Sequence, residues 1–184
     1  MKKKRQAPEI LRYLEALKDE MGRACVDIRL DADTALYDPL SIGENLDLDG
    51  AIYEFIERQT NIIPAGIPLR IRFHGRALPQ EEQETIRQIM RRHYTMQSYD
   101  VMWDMAVNFR KMLLFALFGA AMLVGYFYLA FTTDRIFATE ILSIIGSFSL
   151  WEAADALFLE RPRLRREYAN MLQNIKQTVE FLDE

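Results

Sequence analysis

The stretch Met112–Phe131, MLLFALFGAAMLVGYFYLAF, decides the fold class, because it contains no charged residue and is mostly apolar. A helix of that length spans about 30 Å, which matches the hydrocarbon core of a bilayer. Arg110 and Lys111 precede it, and Tyr126 and Tyr128 lie near its far end, as interfacial aromatic residues do. We therefore predict a transmembrane helix over about 112–131.

A second apolar run, 136–157, follows after only four residues, 132–135. Glu140, Glu152 and Asp155 interrupt this run, so it would be a marginal span on its own. Because the connecting loop is so short, we expect the second run to return across the membrane. The two runs together predict a transmembrane hairpin.

Small residues favour close packing of the two predicted spans. The first span has the pairs Ala116/Ala120 and Ala121/Gly125, each with small residues four positions apart. The small residues of the second span are Ala138, Ser143, Gly146, Ser147, Ala153 and Ala154. We expect these residues to form the contact within the hairpin.

Basic residues indicate the orientation of the hairpin. Arginines follow the second span at positions 161, 163, 165 and 166, and Arg110 and Lys111 precede the first, whereas the connecting loop has Arg135 alone. By the positive-inside rule, both termini are cytoplasmic, and we expect a bacterial inner-membrane location. The single Cys25 cannot form an intrachain disulfide, in agreement with a reducing compartment.

The mean hydropathy of the whole chain is only −0.12, because the value averages the apolar hairpin with a strongly charged remainder. The net charge of the chain is −4. Met1–Arg5 is basic, but no apolar segment follows it, so a signal peptide is not expected. Residues 1–23 are predicted to be a basic tip and an amphipathic helix beginning near Pro8 and ending near Met21.

Residues 24–95 predict a small cytoplasmic α/β domain. Alternation predicts strands at 25–30 and 69–73, and helices are expected over 49–59 and 79–94. Since two strands make a thin sheet, we expect a third strand, either at 34–42 or from a neighbouring protomer.

Amphipathic helices flank the hairpin. One begins at Gln97 and continues into the membrane, so that 96–160 forms a juxtamembrane helix plus the hairpin. The other covers 161–184, after Pro162. Its apolar positions recur at steps of three and four: Tyr168, Met171, Ile175, Thr178 and Leu182. The fold class is therefore an α+β membrane protein with a cytoplasmic α/β domain, a two-helix hairpin and a C-terminal amphipathic helix.

The polar residues of the second span are the main candidate site. They form a stripe about 120° wide on a helical projection. We consider as one candidate pore or polar stripe the residues Glu140, Ser143, Ser147, Trp151, Glu152 and Asp155. In a homo-oligomer they could line a cation pore, with Glu140 as an outer ring and Glu152 and Asp155 as an inner one. Alternatively, Glu140 pairs with Arg135, and the other two acids lie among headgroups.

Other motifs give weaker signals for chemistry. Asn45–Gly50 resembles the start of a calcium loop, but Ile56 occupies the position of the bidentate Glu, and helix capping by Asp47 or Asp49 is simpler. The chain contains no G-x-S-x-G, Walker or G-x-G-x-x-G motif, so we expect no enzyme, metal or cofactor. A local basic region favours anionic headgroups over nucleic acid: Arg70, Arg72, Arg76, Arg87, Arg91 and Arg92.

The order of several short motifs resembles a family of uncharacterised bacterial membrane proteins with two C-terminal transmembrane helices. The residues that carry the resemblance are 36–41 (LYDPLS), 52–56 (IYEFI), 68–71 (PLRI), His93-Tyr94, and Glu140-Ile141-Leu142 with Gly146 and Trp151. The resemblance implies a bacterial inner membrane and no particular activity. The layout is also similar to calcium uniporter pores, but the W-D-x-x-E-P signature is missing, so no uniporter function is expected.

These observations predict a non-enzymatic inner-membrane protein that acts as a scaffold, sensor or regulator. It is expected to be a homo-oligomer, and an unidentified protein partner is left open. The alternative is a homo-oligomeric cation channel lined by the second span.

Overall fold

The chain combines long helices with one small sheet. The computed structural model describes Arg12 and residues 14–31, 33–133 and 136–183. The strands are β1 (Ala24–Leu30), β2 (Leu69–Gly75) and β3 (Thr178–Asp183). The α-helices are α1 (Gly50–Thr60), α2 (Gln80–Thr132), α3 (Ile136–Asp155) and α4 (Arg161–Ile175), and short 3₁₀ and π turns occupy Gly43–Asn45 and Ala156–Glu160.

The residues fall into two compact units. One, here called the sheet unit, comprises Met1–Ser98 and Ala169–Glu184, and the other, the hairpin unit, comprises Tyr99–Tyr168. The chain therefore leaves the sheet unit once through α2 and returns to it once through α4. This connectivity makes the hairpin unit an insertion between two parts of the sheet unit.

The sheet has the order β1-β2-β3, and both neighbouring pairs are parallel. Its third strand is C-terminal, so the expectation of a strand at 34–42 is wrong. In that region Tyr37 makes only an isolated bridge to Leu48. The third strand also comes from the same chain, so the sheet needs no neighbouring protomer to reach three strands.

The predicted C-terminal helix over 161–184 is wrong beyond Ile175, where α4 ends. Thr178 and Leu182, which were assigned to its apolar face, belong to β3 instead. The strand has its own alternation, because Val179 and Phe181 belong to the core while Glu180 pairs with Arg70 on the opposite face. The alternation of side chains along the six residues of β3 therefore indicates the structure of this segment better than the loose helical spacing of apolar residues over 168–182.

One face of the sheet carries the core. Three β1 and β2 residues on that face, Ile28, Ile71 and Phe73, are buried together with residues of α1 and the first part of α2. Those helical residues include Ile56 and Ile86, both fully buried. Burial of such a side chain contributes about 1.5–3 kcal/mol, so this cluster is the main source of stability of the sheet unit.

The first turn of α1 confirms the prediction of helix capping. The Asp49 carboxylate accepts a hydrogen bond from the Ala51 N–H at 2.8 Å, which satisfies one of the free donors at the helix start. Of the helix expected over 8–21, residues 8–11 and 13 lie outside the described residues, and Arg12 and 14–16 are helical. The expectation that it continues to Met21 is wrong, because the chain has left the helix at Leu17.

The helices predicted over 79–94 and from Gln97 are one continuous helix, α2, of 53 residues. No Gly or Pro occurs between Gln80 and Phe118, so nothing in the sequence ends the helix where the prediction placed its break. The second apolar run also continues beyond its expected end, since Ile136–Ile175 is helical throughout its 40 residues.

These two helical segments, Gln80–Thr132 and Ile136–Ile175, are long and apolar enough to cross a membrane by length and composition. Only 6% of the most apolar window of the first, and 22% of that of the second, is buried inside the protein. The core helix of a soluble protein is mostly buried, and neither of these two apolar segments is.

Candidate functional site

The two helices of the hairpin unit approach each other most closely at glycines. A β carbon built on Gly119 would lie 2.9 Å from the Leu150 Cγ, and one built on Gly146 would lie 3.1 Å from the Leu123 Cγ. Gly146 was among the predicted contact residues, but Gly119 was missed. Three small residues that were expected at this contact are exposed instead: Ala120, Ala121 and Ser147.

The packed face of α3 lies opposite the polar stripe. With Glu140 taken as zero and 100° per residue, the buried residues lie between about 180° and 260°. They are Thr139, Gly146, Ser149 and Ala153. The stripe extends from about 300° through zero to about 60°. The polar stripe is therefore directed away from the first helix of the hairpin.

The exposure of the stripe residues agrees with this direction. Glu140 and Ser147 are exposed, Trp151 is 72% exposed, and Ser143 and Asp155 are half-buried. The structure thus keeps these five residues on one outward side of α3. Apolar side chains share that side, including Ile144 at 65% exposure, so the stripe is a mixed surface rather than a purely polar one.

Glu152 leaves the stripe. It lies at about 120° from Glu140 on the same projection, and its carboxylate pairs with the Lys111 Nζ at 3.8 Å. Lys111 also pairs with Glu160 at 3.6 Å. The expected inner ring of Glu152 and Asp155 is therefore not formed by this geometry. The alternative pairing of Glu140 with Arg135 lies outside the described residues.

A second charged group lies on the face of the sheet opposite the core. Asp27 on β1 accepts hydrogen bonds from the Arg72 Nε at 2.6 Å and pairs with the His74 Nε2 at 2.8 Å. Partial burial opposes ionisation of Asp27, but the hydrogen bonds from Arg72 and His74 outweigh it, and the pKa of Asp27 is lowered. Arg70 similarly pairs with Glu180 and Asp19.

These contacts change the interpretation of the predicted basic region. Arg70 and Arg72 are paired with acids, and Arg87 donates to the Val179 carbonyl at 3.3 Å and pairs with Glu84. Arg92 donates to two carbonyl groups of the loop before α1. Most of these guanidinium groups therefore stabilise the sheet unit itself.

A polar cluster between α1 and α2 was missed by the sequence analysis. The Tyr53 ring stacks on His93 with centroids 3.6 Å apart, and the Tyr53 hydroxyl donates to Asp47 at 2.6 Å. Burial lowers the pKa of His93, although the charge of Asp47 acts in the opposite direction. Burial also raises the pKa of Tyr53. Burial thus favours the neutral form of the His93 ring that stacks on Tyr53.

Among the described residues, no group of three or more His, Cys, Asp or Glu side chains could hold a metal ion. In the calcium-like segment, Asp49 caps α1 and Asp47 accepts from Tyr53 and from the Leu48 N–H. Both carboxylates thus have structural partners within the sheet unit.

No protein-family model, curated protein or solved structure matches the chain. The resemblance to bacterial membrane proteins with two C-terminal spans therefore stays a hypothesis.

Proposed function

We propose that this protein is an integral protein of the bacterial inner membrane whose hairpin unit crosses the bilayer and anchors the sheet unit on the cytoplasmic side. In this proposal the sheet unit acts as a scaffold, sensor or regulator rather than as an enzyme. The observation that carries the proposal is the apolar outer surface of the hairpin unit.

That surface involves both helices. Leu114 and Val124 on α2 are 69% and 68% exposed, and Ile144 and Phe148 on α3 are 65% and 63% exposed. Soluble monomers rarely expose apolar patches of this kind over a large area. A hydrocarbon environment would remove these side chains from water.

The connectivity of the sheet supports the proposed topology. β2 precedes the hairpin and β3 follows it, yet Phe73 on β2 is paired with Phe181 on β3. Two segments of one sheet must be on the same side of a membrane, so the chain between them crosses an even number of times. The flanking basic residues favour the cytoplasmic side.

We propose a homo-oligomer because of Glu140. This carboxylate is exposed on the side of α3 that also carries Ile144 and Trp151. A carboxylate that faces lipid is energetically unfavourable, and contact with a second copy of the protein would remove the Glu140 carboxylate from the hydrocarbon.

The topology is tested by cysteine labelling in a Cys25→Ser background, since the chain has one cysteine. Single cysteines are introduced at Thr133, in the loop, and at exposed Lys176, after α4. In intact cells an impermeant maleimide should label the cysteine at 133 and spare that at 176, whereas permeabilised cells should give labelling of both. Release of the protein by alkaline carbonate would reject the membrane proposal, and the reverse labelling would reject the orientation.

The second candidate function is a cation channel lined by α3. It is favoured by the outward direction of Glu140 and Ser147, which a ring of copies would bring to a common axis. Purified oligomer in planar bilayers should then carry a cation current that Glu140→Gln reduces. Glu152→Gln is the matched control, because Glu152 pairs with Lys111 and lies off the stripe. Absence of current from a folded oligomer would reject the channel.

A further inference from the structure

A cavity of about 290 Å³ lies within the hairpin unit, between α2 and the start of α4. Its lining is mostly apolar and contains one cationic side chain. The main lining residues are Met105, Asn108, Phe109, Met112, Arg161 and Leu164. An apolar cavity with a single charged group suits a ligand that is itself part hydrocarbon and part ion.

One lining residue of the cavity, Arg161, directly follows an irregular helical turn. Residues Ala156–Glu160 form a π turn directly before Pro162, and the Arg161 N–H bonds to the Ala156 carbonyl. Proline cannot continue the ordinary ladder, since its ring clashes with the carbonyl four residues earlier, so the chain widens before it. Such single π turns occur often at functional sites.

Asn108 supports the cavity wall. Its side chain is 7% exposed, and its Nδ2 donates to the same Ala156 carbonyl at 3.0 Å. Its Oδ1 is buried and has no hydrogen-bond partner among the described residues. A buried amide oxygen without a partner is uncommon in a folded protein, and it can accept a hydrogen bond from a donor such as a hydroxyl group of a bound molecule.

The charges near the cavity leave Arg161 available. Lys111 lies between Glu152 and Glu160 and pairs with both. Within the described part of the chain, no acid forms an ion pair with Arg161, although Glu160 is its neighbour in sequence. The guanidinium of Arg161 is therefore open to an anionic ligand at the edge of an apolar cavity.

We propose that this cavity binds one anionic phospholipid, with an acyl chain against Met105 and Phe109 and the phosphate on Arg161. The inference rests on the proposed membrane location. Arg161 follows the apolar part of the second helical segment, where headgroups would lie, and basic pockets at such positions suit anionic headgroups. A guanidinium also offers the paired donors that a phosphate accepts.

The experiment uses the full chain, purified in detergent, and measures lipid retention by native mass spectrometry. The probes are phosphatidylglycerol, which is anionic, and phosphatidylcholine, which is zwitterionic. We expect phosphatidylglycerol to be retained with one copy per chain and Arg161→Gln to weaken its retention about tenfold, as loss of a charge-assisted contact would. Arg163→Gln, an exposed neighbour, should change retention by less than about twofold.

A second pair of variants tests the cavity without altering charge. Ala106 lines the cavity, so Ala106→Phe should fill part of it and weaken retention of the lipid. Ala120→Phe, at an exposed position of the same helix, should leave retention unchanged. Circular dichroism of each variant establishes that it is folded, and either pair is sufficient if one variant fails to fold.

Three results would overturn the inference: equal retention of the two lipids, equal effects of Arg161→Gln and Arg163→Gln, or full competition by soluble glycerol phosphate. The last would indicate a site for a free anion. Failure of the membrane proposal is distinguishable, because it appears as release by alkaline carbonate, whereas a protein that stays in the membrane and shows any of the three results refutes the lipid site alone.

Discussion

Gly119 and Gly146 meet backbone to backbone across the hairpin. A β carbon built on Gly119 would lie 3.0 Å from the Gly146 carbonyl oxygen, and one on Gly146 would lie 3.3 Å from the Gly119 carbonyl oxygen. Both distances are tighter than ordinary van der Waals contact. The two helices can approach this closely only because both positions lack a side chain.

Gly119→Ala should therefore destabilise the hairpin, although alanine is the better helix former. The helix preference contributes up to about 1 kcal/mol, whereas forcing a methyl group against Leu150 and a carbonyl costs about 1–3 kcal/mol. Thermal unfolding in detergent, followed by circular dichroism, measures the difference. Gly125→Ala is the control, because its nearest neighbour, Leu142, is at 3.8 Å, and it should be neutral or stabilising. Equal behaviour of the two variants would contradict this account of the contact.

The elements that the sequence predicted well are those with strong local signals. β1 alternates between buried and exposed residues over 26–30, and Asp49 lies where a capping residue is expected before α1. The two apolar segments are likewise recognisable from composition alone. None of these features depends on distant parts of the chain.

Local signals could not identify β3, because this segment is a strand only through its pairing with β2, about a hundred residues earlier in the chain. Thr178–Asp183 is an edge strand of six residues, and its pairing with β2 exists only once the hairpin returns the chain to the sheet unit. Parallel pairing of strands separated by a long insertion leaves no turn signal in the sequence.

Phe181→Ala tests whether β3 is part of the sheet unit. The Phe181 ring stacks on Phe73 with centroids 5.2 Å apart, and the Arg87 guanidinium lies over the Phe181 ring, 5.2 Å from its centroid. Removal of this half-buried ring should lower the free energy of unfolding by about 2–3 kcal/mol, below the full cost of a completely buried phenylalanine. Chemical denaturation of the full chain in detergent measures it.

Leu182→Ala is the matched control, since Leu182 follows directly, is 39% exposed and points to the opposite face of the strand. It should cost less than about 1 kcal/mol. A helical C-terminus, in which Leu182 continued the apolar spacing of Ile175, would reverse the order of the two effects.

Only part of the candidate site could be predicted from the sequence, because some of its contacts join different helices. A helical projection grouped Glu140, Ser143 and Ser147 correctly, because they belong to one helix. The same projection puts Glu152 about 120° from Glu140, off the stripe, but it could not show the ion pair with Lys111, because Lys111 lies on the other helix. The His93–Tyr53 stack likewise joins two helices that are separated in sequence.

Gly75 ends β2 with a backbone that favours glycine. Its φ is +112°, and a β carbon there would lie 2.7 Å from the Leu30 carbonyl oxygen. Gly75→Ala should therefore cost about 1–3 kcal/mol of stability. Gly66→Ala, where nothing lies within 4 Å and φ is not in that region, should be neutral or slightly stabilising. Comparison of their denaturation midpoints checks the prediction, and a stable Gly75→Ala variant would exclude the strained turn.

The half-buried His93 should make the stability of the sheet unit depend on pH. Burial lowers its pKa in the folded state below the ordinary value of 6.5, so the unfolded chain binds the proton more readily. The stabilising contribution is thus fully present above about pH 6.5 and is lost as the pH falls through the lowered folded pKa. Denaturation midpoints of the full chain between pH 7.5 and about pH 5 should fall, and they should fall less steeply for His93→Gln. The slope is the decisive quantity, because loss of the Tyr53 stack lowers stability at every pH, and identical slopes in the two proteins would show that His93 is not the group that titrates.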